Sequence, residues 1–127
     1  MEYAPILKQT LLTAFDIEIA VATELEATAS KRMYEVGCLS VHYDTIRSNF
    51  IIGNMVKESL TRLKETVAEE SLEHALERIL GYAKRIKSCI SPRFDSPYDY
   101  AHDHIVECIG NIIKRVKETY EQLPCAA

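Results

Sequence analysis

The chain has no tryptophan, only four glycines and only four prolines. So few breakers, beside many Leu, Ile, Ala, Glu and Lys, favour an all-α fold. No apolar run approaches the roughly 18 residues of a membrane span, so no membrane association is expected. The N-terminus, MEYAPILKQ, lacks a basic stretch before an apolar one, and no signal peptide is expected. None of the four cysteines, Cys38, Cys89, Cys108 and Cys125, belongs to a CxxC pair. They read as reduced thiols of a cytoplasmic protein. The ending Cys125-Ala126-Ala127 is one residue short of a prenylation box. No single sign of charge dominates either: 15 basic and 19 acidic residues leave −4. That argues against bulk electrostatic binding of nucleic acid and leaves room only for a local basic patch.

What the sequence does contain is helical periodicity. A chain of 127 residues is one domain by length and can bury roughly two thirds of its unfolded surface without a disulfide or metal. The clearest element is Ser96 to Leu123. Ser96 suits the N-cap, Pro97 the first helical position and Asp99 the third. At about 100° per residue, Tyr98, Ala101, Ile105, Cys108, Ile109, Ile112, Val116 and Leu123 share one side.

The first helix is predicted from about Pro5 to Met33 or a little beyond, with Gly37 as its stop. Its stripe is Leu7, Leu11, Ala14, Phe15, Ala22, Leu25, Ala29 and Met33. The alanines on it would let a neighbouring helix come close. Glu18 interrupts the stripe, and a carboxylate there is paired, turned to the margin, or functional.

The second helix is predicted to run to about Thr66, capped by Ser40 or Asp44. Its seam is His42, Ile46, Asn49, Gly53, Val56, Leu60, Leu63 and Val67. Gly53 inside a helix costs about 1 kcal/mol against Ala, which suggests close backbone contact or a bend. Asn49 on a seam suggests control of register or oligomer state. Thr66 and Glu69 have capping-box spacing, and a turn is expected between Glu65 and Leu72. The third helix then spans about Glu69 to Ile90. Leu72, Ala75, Leu76, Ile79, Ala83, Ile86 and Ile90 form its apolar face, with acidic residues at its start and basic ones at its end.

These segments predict an antiparallel four-helix bundle with long first and last helices, as a single domain. Helices of nearly thirty residues in so short a chain suggest that excess apolar surface is covered by a second copy, so a homodimer is expected.

Motifs for chemistry are sparse. Di-iron bundles need two Glu-x-x-His pairs, and only Asp99-x-x-His102 comes near. His102 and His104 diverge by about 160° on a helix and do not share one metal. No Gly-x-Ser-x-Gly turn and no Gly-rich phosphate loop is present. No cofactor is expected. The polar residues on or beside apolar stripes are Glu18, His42, Asn49, Asp99 and His102, and a metal- or small-ligand-binding bundle enzyme would use them. Lys84, Arg85, Lys87 and Arg93 gather near the end of the third helix as a candidate nucleic-acid patch, although dipole complementation and solubility also account for them.

The stretch Arg47-Ser-Asn-Phe-Ile-Ile-Gly-Asn-Met-Val-Lys57 resembles a helix of HEPN-type toxin domains, which are small helical dimers that cleave RNA. The resemblance covers eleven residues and implies a dimeric, RNA-directed bundle. That family's active site is an Arg followed a few residues on by a His. Here Arg93 and His102 are the nearest pair and are too far apart, so no catalytic role carries over. The leading expectation is a helical bundle that self-associates and binds another protein, with no catalytic set of its own.

Overall fold

A computed structural model describes residues 3–124. Cys125 and its expected free thiol lie outside these residues, as do Met1 and Glu2. Four α-helices make up the described chain: α1 (Ala4–Val36), α2 (Tyr43–Ala68), α3 (Leu72–Ser88) and α4 (Pro97–Gln122). No strand occurs among the described residues, and the architecture is the all-α four-helix bundle expected. No described helix is long and apolar enough to cross a membrane.

Local chemistry sets the helix ends. Gly37 stops α1 at φ 75°, where its N–H donates to the Met33 carbonyl. That left-handed backbone suits a residue without Cβ. Ser96 caps α4 by accepting the Asp99 N–H, with Pro97 in the first turn. Two expected caps differ. His42 holds the N-cap position of α2 with no side-chain cap bond, and Ser40 instead accepts the His42 N–H from within the loop. Ser71, not Thr66, caps α3 through the His74 N–H. The Thr66 hydroxyl donates back to the Arg62 carbonyl, so it remains inside α2. The third helix is therefore shorter than its periodicity suggested, because Glu69–Ser71 forms the link. The α2 helix is as long as α4, at 26 residues each.

Long-range contacts fix the antiparallel order. Tyr3 Oη donates to the Pro124 carbonyl at 2.7 Å, tying the start of α1 to the end of α4. Lys8 Nζ donates to the Ala68 carbonyl at the C-terminus of α2 and to the Glu70 carbonyl in the link beyond it. Lys64 pairs with Asp16 at 2.5 Å further along the same two helices. The core among the four helices includes Leu11, Phe15, Leu60, Val67, Ile79, Ile105 and Ile112, all fully buried. The predicted stripes of α1 and α4 hold, with one correction. Tyr98 is exposed, because the first turn of α4 is pinned by its cap rather than by burial of that ring.

The helices differ in reach. The Tyr3–Pro124 contact and the Glu18–Cys108 interaction bring the first turn of α4 about level with Ala29 of α1. Beyond that level α1 and α2 continue as a two-helix hairpin, roughly 10 Å further at 1.5 Å per residue. Burial tracks the change. Ala29 is the last buried residue of α1 and Ile46 the first of α2, and both lie apart from the main core cluster.

Candidate functional site

The five interior polar candidates do not converge. Glu18 is buried on α1, with 9% of its surface exposed. The Cys108 thiol of α4 is near enough to feel its charge, and burial first and the Glu18 carboxylate second push that thiol up to about 12. A thiol so held stays protonated and is a poor nucleophile. Asp99 is buried and fully engaged. It accepts the Ser91 N–H at 2.8 Å and the Ser96 hydroxyl at 3.1 Å. The Ser91 N–H above all, opposed by burial and then helped by Ser96, holds its carboxyl below the ordinary 3.8. Its lone pairs go to closing the loop before α4, so it forms no carboxylate–imidazole pair with His102. His102 is half-buried, and its Nδ1 has no hydrogen-bond partner.

His42 and Asn49 are corrections. Both are exposed, not on an interior seam. The periodicity itself is sound: Asn49 shares a helix face with Val56, Leu60 and Val67, at spacings of 7, 11 and 18. The face opens to solvent at Asn49 because α4 has already ended at that level. Among the described residues no three His, Cys, Asp or Glu side chains gather where a metal could be held.

The four basic candidates lie at the surface. Lys84, Arg85, Lys87 and Arg93 are all exposed. Arg85 and Lys87 occupy the last turn of α3, where they complement its dipole. Arg85 turns towards α2 and lies over the Tyr82 ring, 5.9 Å from its centroid.

Sequence reasoning missed two features. One is a polar clasp between α1 and α2. Lys57 Nζ donates to Glu26 Oε1 at 2.8 Å and Asn54 Nδ2 to Glu26 Oε2 at 2.7 Å. The Lys57 bond, outweighing desolvation, holds the Glu26 carboxyl below its usual range. Asn54 and Lys57 are three apart on one helix face, which was readable. Their partner 28 and 31 residues away was not.

The other is the tip of the hairpin. Tyr34 is 93% exposed, Leu39 97% and Val41 89%. Two helices alone can bury only the sides that face each other, so apolar residues turned outward at the tip have no cover. Around them Lys31, Arg32, Glu35, Asp44 and Arg47 are exposed, and none forms an ion pair among the described residues. A compact apolar group within Tyr34–Val41, ringed by unpaired charges of both signs, has the make-up of a protein contact surface.

Comparison with family models, curated proteins and solved structures gave no match.

Proposed function

We propose that this chain is a helical-bundle interaction protein that self-associates through the projecting α1–α2 tip, with a second copy of the same tip as the occupant. The observation that carries this reading is the near-complete exposure of Tyr34, Leu39 and Val41 at the one end of the bundle where α4 gives no cover. The charges support a like partner. Lys31, Arg32 and Arg47 stand beside Glu35 and Asp44. A two-fold axis through the tip can set each sign of one copy against the opposite sign of the other.

The three side chains expose on the order of a few hundred Å², less than the ~800 Å² per partner of a standard interface. A reversible dimer with a Kd in about the micromolar range is therefore expected. A protein partner of like chemistry would use the same surface. A cytoplasmic setting belongs to this reading and is supported by the free thiols of Cys38, Cys89 and Cys108.

Sedimentation equilibrium over a concentration series tests the proposal, with the wild type beside Leu39→Glu. The wild type is expected to pass from monomer to dimer as concentration rises. The variant is expected to remain monomeric with an unchanged helical spectrum, since Leu39 touches no core residue in its exposed position. A wild type that stays monomeric to about a millimolar, or a variant that dimerises as well as the wild type, would refute the proposal.

A further inference from the structure

A groove of about 410 Å³ runs between α2 and α3 on the flank of the bundle, away from the hairpin tip. Its cationic lining is Arg62 from α2 and Arg78 and Arg85 from α3. On each helix the spacing is regular: Ser59, Arg62 and Thr66 on α2, and Arg78, Tyr82 and Arg85 on α3, all three or four apart. Three of the chain's seven arginines line this groove and none of its eight lysines does. Solubility alone would not sort the two residue types this way, because lysine serves an exposed face equally well. Arginine differs in carrying a planar fork that grips phosphate oxygens two at a time.

The three forks are held differently. Arg78 donates through Nε to the Glu70 carboxylate, which leaves its terminal nitrogens unpaired among the described residues. Arg85 rests over the Tyr82 ring, an attraction that holds a guanidinium in place without using its N–H donors. Arg62 forms no ion pair among the described residues. Glu58 is the one carboxylate in the lining, so the groove carries a surplus of positive charge. Asn54, Ser59 and Thr66 add polar groups beside the arginines.

We infer that the α2–α3 groove binds a small molecule bearing a diphosphate group. Arg62 on the α2 wall and Arg78 and Arg85 on the α3 wall clasp it, and the Ser59 hydroxyl donates to it. Two adjacent phosphates supply enough oxygens for more than one fork, and their charge offsets the surplus of the lining. The volume lies within the usual range for small-ligand sites, roughly 300–1,000 Å³.

Isothermal titration of the full chain with inorganic pyrophosphate, ADP, AMP and adenosine tests this, with Arg62→Gln, Arg85→Gln and, as control, Lys114→Gln. Saturable binding of pyrophosphate that weakens with salt is expected, with each arginine variant about tenfold weaker and the control unchanged. ADP binding tighter than pyrophosphate would identify a nucleotide as the source, and equal binding would identify the free diphosphate. Either result supports the groove. Because both arginines are exposed, circular dichroism melts are expected to show the variants folded. As a second readout, the Nε–Hε signals of Arg62 and Arg85 are expected to shift on titration. No pyrophosphate binding, binding unaffected by either variant, or binding only to a single-stranded RNA would each overturn the assignment.

Discussion

Gly53 of α2 lies directly against the backbone of Glu26 on α1. A Cβ added at Gly53 would come 2.7 Å from the Glu26 nitrogen and 3.0 Å from the Ala22 carbonyl oxygen. This is the closest approach the glycine positions make to a neighbouring helix, and Ala22, a small residue of the α1 stripe one turn before Glu26, is part of the same contact. The same stretch of α1 carries the Glu26 carboxylate that Asn54 and Lys57 grip. Backbone proximity and the polar clasp thus sit together, just before the two helices leave the shelter of α4.

Gly53→Ala is expected to destabilise the fold, although alanine is the better helix former. The contacted atoms are backbone and cannot rotate aside, so overpacking costs about 1–3 kcal/mol. That exceeds the propensity gain of about 1 kcal/mol. Gly110→Ala on α4 is the counter-test. Nothing lies within 4 Å of a Cβ built there, and stability is expected to rise. Denaturant midpoints of the two variants check the opposed signs.

Capping of α4 is expected to show in acid. The Asp99 carboxyl titrates below its ordinary 3.8, so the stability it contributes is fully present above that value. It is lost as pH falls through the folded-state value. The melting temperature of Asp99→Asn should lie below that of the wild type at neutral pH, and the gap should close in stronger acid. A gap that stays constant down the pH series would show that the charge is not what the loop holds. Ser96→Ala removes the N-cap itself and is expected to cost about 1 kcal/mol at neutral pH, and less in acid because its hydroxyl also donates to the Asp99 carboxylate.

The three described cysteines are expected to react unequally. Cys38 and Cys89 are exposed and Cys108 is buried. With its thiol pushed up to about 12, Cys108 has almost no thiolate at neutral pH. Alkylation of the native protein, read by mass spectrometry of peptides, should mark Cys38 and Cys89 and reach Cys108 only after unfolding. The raised value has a second consequence. The unfolded thiol ionises near its ordinary 9.0 while the folded one does not. Between about 9 and about 12 this group therefore lowers stability progressively as pH rises, and Cys108→Ala should flatten that decline.

Much of the fold was legible from residue spacing. The stripes of α1 and α4, the Gly37 stop and the Ser96–Pro97–Asp99 start all follow from rules acting within one helix. Those rules do not say how far one helix outreaches another. Asn49 has the helix face of an interior residue, and it is outside because α4 ends at its level. The hairpin tip was hidden for the same reason: Leu39 and Val41 gave no periodic signal, and their exposure is a property of the assembled bundle. The arginine groove needed the pairing of α2 with α3, which joins Arg62 to Arg78 and Arg85 across the fold. Glu18 could be flagged in sequence as out of place, but only packing brings its charge to bear on Cys108.

The central claim is that the uncovered α1–α2 tip meets the tip of a second copy. A nitroxide on Cys38 reports on it most directly, in a chain carrying Cys89→Ser and Cys125→Ser, mixed with an isotope-labelled chain that bears no nitroxide. Signal loss in the labelled chain is expected around Lys31–Arg47 and not along α3 or the C-terminal half of α4. Loss centred on any other face, or none at concentrations where the protein sediments as a dimer, would contradict the account.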